Sequence, residues 1–295
     1  MTSHPGRLAT LVVVLGLALA ACGGADEAGE SPSAAGSGDG AAAPELEVIE
    51  EGQLTVCTDS PYRPFEFEED GEFTGFDVDI VNEIADGLSL EAQFQVTPFD
   101  AIQSGAALNA RQCDLAASAM TITDERAENL AFSDPYFDAD QSLMIRADDA
   151  GTYGALDDLA GQRIGVQAST TGAIYANENA PEDAEVVDYP DSSALFQALQ
   201  GTEIAAVLQD FPVNAFFASQ NDTVEIVEQY PTGEQYGLAA QRDNTALIAA
   251  INEELDTLRS DGTYDRIYEE WFGTAPSSAS EGASAAPAAS ETATG

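Results

Sequence analysis

The apolar pattern of the chain predicts an α/β protein of two lobes, each built on a parallel, doubly wound sheet. Three observations predict it. Strand-like and helix-like segments alternate as β-α-β-α-β between residues 54 and 118, and that order lays helices on the faces of a parallel sheet. The alternation starts again near residue 162. The regularly patterned part covers roughly 225 residues, enough for one large domain or two modest ones.

The first lobe opens with residues 54–58, a strand that ends at the turn-forming Asp59-Ser60-Pro61. Residues 66–76 form a short excursion around an Asp70-Gly71 turn. A helix begins at Asp77, a residue type that caps helices. Val78, Val81, Ile84, Ala85 and Leu88 share one face of it, and it closes at Gly87 and Leu88. Residues 90–96 alternate as a second strand, residues 106–109 belong to another helix, and residues 113–118 form a third strand. Leu115-Ala116-Ala117 is apolar or small on both faces, as a buried parallel strand requires.

The second lobe repeats the plan. Residues 162–166 are a strand, a helix follows from Thr171, and residues 185–187 are a short strand. Residues 193–200 are a helix, and residues 204–208 and 224–227 are strands. Residues 236–241 form another strand. Two helices end the fold. One carries Leu247, Ile248, Ile251, Leu255 and Leu258 and stops at Asp261-Gly262; the other carries Tyr264, Ile267, Tyr268 and Trp271-Phe272 and stops at Gly273.

The two ends have a different character. Arg7 and the apolar run 8–19 read as a secretory signal, too short to span a bilayer comfortably. The run ends in Leu19-Ala20-Ala21-Cys22, which resembles the lipobox of bacterial lipoproteins, with Cys22 as the lipidated first residue of the mature chain. Residues 1–21 are then the signal, 22–47 a flexible tether of Gly, Ala, Ser, Pro, Asp and Glu, and 274–295 a disordered tail of similar make-up. The expected location is the outer face of the cytoplasmic membrane, reached by the lipid anchor.

Composition excludes several functions. The formal net charge is −44, from 53 acidic residues against nine basic ones, and all nine are Arg. Such a surface repels nucleic acid and anionic headgroups. The one His is His4, inside the signal. The mature chain therefore offers neither a Ser-His or Cys-His nucleophile system nor a His-ligated metal site, and no cofactor is expected. With Cys22 lipidated, Cys57 and Cys113 remain. In a secreted chain they suggest one disulfide, with two buried free thiols as the alternative.

Candidate ligand contacts follow from topology, because parallel sheets bind ligands at the carboxyl ends of their strands. Four segments lie there: 59–65, 119–126, 167–172 and 209–210. Thr123 is a good N-cap for a helix that begins Asp124-Glu125-Arg126. An Arg in a first helical turn opposes the dipole, and its fork suits a carboxylate. Ser169-Thr170-Thr171-Gly172 is a second capping cluster able to take the same anion, and Asp210 can receive an ammonium group. Tyr62 and Phe99 are placed to wall an apolar slot, whereas Phe65 reads as core.

At this point the chain resembles the family 3 extracellular solute-binding proteins, the polar amino-acid receptors of ABC importers. The resemblance rests on 58–67 (TDSPYRPFEF), 75–80 (GFDVDI), 120–126 (MTITDER), 132–136 (FSDPY), 165–167 with 170–172, and Asp261-Gly262-Thr263-Tyr264-Asp265 with Trp271-Phe272-Gly273. It implies the type II periplasmic-binding-protein (Venus flytrap) fold, two doubly wound α/β lobes joined by two crossover strands near residues 141–146 and 228–236. Residues 48–143 plus 236–273 would be lobe one, and 144–235 lobe two with the hinge segments.

The resemblance also implies roles. Arg126 and Thr121 would hold a ligand α-carboxylate with Thr170 or Thr171, and Asp210 the α-ammonium with the backbone of Ala119. Tyr62 and Phe99 would flank the side chain, with Asp59 and Gln167 near its end. Its Cys57 and Cys113 fall on strands expected to be neighbours, which supports the disulfide. Arg63, where a small residue is common, is placed to edge the pocket, and about two extra residues at 103–106 disturb the placement of Phe99. Partners would be a polar, possibly cationic, L-amino acid and the membrane permease of an importer, and the default state is a monomer. The same fold also carries secreted dehydratases of cyclic carboxylic acids, for which Glu66, Asp59 or Asp100 would supply the acid or base. A sensory module is the third reading, disfavoured by the lipobox.

Overall fold

A computed structural model describes residues 46–273. The signal, Cys22, the tether as far as residue 45 and the tail lie outside the described residues. In chain order the first part runs β1 (Gln53–Thr58), β2 (Phe67–Glu69), β3 (Glu72–Thr74), α1 (Phe76–Gly87), β4 (Glu91–Val96), α2 (Phe99–Gln103), α3 (Ala106–Asn109), β5 (Leu115–Ala116), α4 (Asp124–Ala127) and β6 (Leu130–Phe132). Next come β7 (Phe137–Arg146), β8 (Arg163–Gln167), α5 (Thr171–Asn179), β9 (Glu185–Tyr189), α6 (Ser192–Gln200), β10 (Ala206–Asp210), α7 (Phe211–Ser219) and β11 (Val224–Tyr236). The chain then returns through β12 (Ala239–Gln241), α8 (Thr245–Asp261) and α9 (Thr263–Phe272).

Two five-stranded sheets organise these elements, in the orders β4-β1-β5-β12-β6 and β11-β7-β10-β8-β9. In each, three strands are parallel as the β-α-β alternation predicts: β4, β1 and β5, then β9, β8 and β10. The remaining strands correct the all-parallel expectation. β12 runs antiparallel to β5 and β6, and β7 runs antiparallel to β10 and β11. Both exceptions adjoin the crossings between the sheets: β7 carries the chain out of the first sheet, and β12 receives it back from β11. β7 and β11 are the two crossover strands, paired from Arg146↔Val224 to Phe137↔Tyr236.

Several local readings change. Asp77 does not cap α1. Gly75 does, at φ 136°, and a Cβ there would sit 2.0 Å from the carbonyl oxygen of Phe65, so only glycine fits. Asp77 is fully buried and accepts from the Ala119 N–H at 2.8 Å and from the Tyr136 hydroxyl at 2.7 Å. β11 runs thirteen residues, joining the strand read from the apolar pattern at 224–227 to the crossover strand that the resemblance implied near 228–236. Its polar, alternately exposed residues carry no strong apolar period, and Pro231 and Gly233 mimic a turn but belong to an irregularity in the pairing between Tyr230 and Glu234. Tyr236 ends that strand rather than starting β12, and the third strand is only two residues long.

Phe65 is core as read. Its ring meets Phe76, Phe137 and Tyr236 edge-on at 5.0–6.0 Å between centroids. Cys57 and Cys113 form a disulfide with Cα atoms 5.7 Å apart, tying β1 to the segment that leads into β5. Among the described residues no helix is long and apolar enough to cross a membrane.

Candidate ligand-binding cleft

The carboxyl ends of β1, β5, β8 and β10 converge between the sheets. All ten residues predicted as ligand contacts, Asp59, Tyr62, Phe99, Ala119, Thr121, Arg126, Gln167, Thr170, Thr171 and Asp210, line one narrow cavity there, of about 10 Å³. Ser118 joins them. The lobes touch across it. Tyr62 donates its hydroxyl to Asp210 at 2.9 Å, Gln167 donates to Asp59 at 2.7 Å, and the Ser192 hydroxyl donates to the Pro61 carbonyl at 2.7 Å.

Arg126 is the only buried arginine among the described residues. Thr123 caps α4 by accepting from the Arg126 N–H, which fixes where the side chain leaves the helix. Its guanidinium donates to the Thr121 carbonyl at 2.7 Å and, across the cleft, to the Ser169 carbonyl at 3.2 Å. It also lies 5.2 Å from the ring centre of Phe99. No carboxylate among the described residues lies within salt-bridge distance of it. Burial lowers its pKa, opposed by the charges of Asp210 and Glu234. Of five N–H donors, two are used. The group is a buried cation with donors left for an anion.

Facing it, Thr170 caps α5 by accepting from the Ala173 N–H at 3.1 Å and donates to the Gln167 carbonyl at 2.8 Å. The first amides of α5 are thereby left free at the positive end of the helix. Gly172 lets this turn pack closely, since a Cβ there would lie 2.9 Å from the amide oxygen of Gln141.

Asp210 is buried at the end of β10 and accepts from Tyr62, from Tyr236 at 2.5 Å and from Gln141 at 2.5 Å. A carboxylate has about four acceptor positions, so one remains for a cation. Burial raises its pKa to about 6, helped by the charge of Glu234 and opposed by those three donors. Asp59, also in the lining, is likewise raised to about 6 by burial, opposed by the Gln167 bond and reinforced by Asp191 and Asp100. Three acids thus cluster around Asp59.

Other candidates lie elsewhere. Arg63 does not edge the cavity; its guanidinium stacks on Phe67 at 3.6 Å, outside the cleft. Glu66 is fully buried beneath it, accepts from Ser118 at 2.8 Å, and has its pKa raised by burial and by Asp77. Asp100 is exposed and outside the lining. Ser118, Gln141, Glu234 and Tyr236 were missed. Their partners lie 26–113 residues away, beyond any local motif.

Two α/β lobes, two crossover strands and a buried polar cleft between them define a solute-binding protein of the flytrap type. The profile of the bacterial extracellular solute-binding proteins, family 3, matches residues 54–274, and the chain belongs to that family. It is 30% identical to the L-cystine-binding protein TcyJ of Escherichia coli over 77% of this chain and 85% of that one. It is 32% identical to the lysine/arginine/ornithine-binding periplasmic protein of Escherichia coli, over 74% and 87%. Among solved structures, an ancestral arginine-binding protein bound to arginine superposes with a TM-score of 0.71 at 35% identity, over 75% of this chain and 99% of that one.

Proposed function

We propose that the protein is a lipid-anchored receptor that captures a polar, preferentially cationic, L-amino acid outside the cytoplasmic membrane and hands it to the permease of an ABC importer. The observation that carries this reading is the opposition of charges in one cavity: Arg126, a buried cation with no carboxylate partner, faces the acceptor Asp210. An α-amino acid presents both complements, a carboxylate for Arg126 and the α5 amides, and an ammonium for Asp210 and the Ala119 carbonyl. Tyr62 and Phe99 flank the side chain. Asp59, with Asp100 and Asp191 beside it, favours a cationic end. The relatives named for cationic amino acids support the same preference.

Closure follows from the ligand touching both lobes at once, and the closed form is the one a permease reads. The receptor works as a monomer and catalyses nothing. Cys22 anchors it, so Cys22→Ala moves the protein from the membrane fraction to the medium; retention in the membrane overturns the anchor. A thermal-unfolding screen of the soluble domain against the twenty amino acids tests the rest. A ligand at a hundred times its Kd adds about 2.7 kcal/mol of stability. A shift by L-arginine, L-lysine or L-ornithine supports the reading. A shift only by cyclic carboxylic acids, with their consumption, replaces it with a dehydratase.

A further inference from the structure

We infer that Glu234 is a positioning residue of the cleft, a carboxylate latch on the crossover strand that pins one threonine from each lobe and sets the affinity of the closed form. The resemblance assigns Thr121, with Thr170 or Thr171, to the ligand carboxylate. The hydroxyls of Thr121 and Thr171 are instead engaged by the protein. Thr121, after β5, donates to Oε2 of Glu234 at 2.9 Å. Thr171, at the start of α5, donates to the same oxygen at 2.5 Å. The two hydroxyl oxygens lie 3.4 Å apart. Each hydroxyl has a single proton, so neither retains one for a ligand carboxylate.

Local backbone geometry aims Glu234 at this point. The β11–β7 pairing shifts register between Tyr230 and Glu234, and Gly233 sits at φ 67° inside that irregularity. Such a bulge turns the next side chain out of the ladder. Glu234 is half-buried and stands beside the ligand cavity rather than in its lining. Its other oxygen accepts from Gln141 at 3.1 Å, and the same Gln141 nitrogen donates to Asp210. The latch is thereby wired to the group that receives the ammonium. Because Thr121 and Thr171 come from different lobes, both bonds exist together only when the lobes are closed. Hydrogen bonds to a carboxylate are stronger than those between neutral groups, so they favour closure without occupying the cavity.

The inference rests on the receptor reading for affinity alone; its conformational arm needs no ligand. Small-angle scattering of the ligand-free soluble domain is compared for the wild type, Glu234→Gln and Glu234→Ala. The latch predicts a larger radius of gyration in both variants. Isothermal titration with L-arginine then predicts a Kd raised about tenfold or more by Glu234→Ala. Thr171→Val weakens wild type by a similar factor but adds little to Glu234→Ala, as members of one network do. Unchanged scattering overturns the latch. So does tighter binding by the Glu234 variants, which would make Glu234 a competitor for the ligand's place. If wild type binds no L-arginine, the receptor reading for that ligand fails, and the scattering comparison alone decides the latch.

Discussion

Replacing Asp59 by Asn separates the recognition of the ligand's side chain from that of its α-groups. Asp59 lines the cavity, where the resemblance puts the end of the ligand's side chain; it accepts one bond from Gln167 and lies near the charges of Asp191 and Asp100. The amide keeps the shape and removes the charge. A hydrogen bond to a charged group contributes about 1.5–3 kcal/mol, so L-arginine binding weakens roughly ten- to hundredfold, while L-glutamine, neutral at that end, changes little. The pKa of about 6 adds a second signature. At pH 5 roughly a tenth of Asp59 is ionised, and an apparent Kd scales inversely with the competent fraction, so the preference for L-arginine over L-glutamine falls roughly tenfold between pH 8 and pH 5. Asp210 titrates in the same range, but in the proposed receptor it meets the ammonium common to both ligands, so the ratio isolates Asp59. Isothermal titration of both ligands at both pH values, for wild type and Asp59→Asn, reads all of this. Equal losses for the two ligands, or a pH-independent ratio in wild type, refute the assignment.

Two further predictions concern stability. The Cys57–Cys113 disulfide joins residues 56 apart in sequence. Closing a loop of that size restricts the unfolded chain by about 4 kcal/mol, so Cys57→Ala/Cys113→Ala lowers Tm by roughly 8–16 °C in calorimetry; a drop no larger than a surface substitution gives contradicts the estimate. The second is pH dependence. Burial raises Asp77 to about 7 and Asp59 and Asp210 to about 6, above their ordinary unfolded values near 4. The folded chain therefore keeps protons that the unfolded chain releases between about pH 4 and 7, and stability falls as pH rises through that window. Easing of the repulsion behind the −44 net charge acts in the same direction. Thermal unfolding of the ligand-free protein gives a higher Tm at pH 5 than at pH 8, and the reverse order contradicts this placement of the acids.

What was legible in the sequence was local chemistry and periodicity. Thr123 and Thr170 were readable as caps because an N-cap is satisfied within three residues, and Arg126 followed from its position in the turn that Thr123 begins. The parallel strands stood out because burial on both faces leaves short apolar runs. What was illegible depended on distant partners. Asp77 looked like a cap, but its oxygens belong to Ala119 and Tyr136, 42 and 59 residues on. Arg63 was read as facing the pocket, yet it stacks on Phe67 on the outer surface. Glu234 lies in a polar stretch without period, and only the pairing of two crossover strands turns it toward Thr121 and Thr171.

In the proposed receptor Arg126 is the group that clamps the ligand carboxylate. Isothermal titration of Arg126→Ala and Arg126→Lys against the amino acid that most stabilises wild type measures it directly. Truncating one partner of a buried charge pair costs about 2–5 kcal/mol. Arg126→Ala therefore loses roughly thirtyfold or more in affinity, and Arg126→Lys, which keeps the charge without the planar fork, falls between the two. Binding by Arg126→Ala within about threefold of wild type, less than the tenfold that 1.4 kcal/mol represents, would contradict the account, because the one buried cation of the cleft would then have no part in holding the ligand.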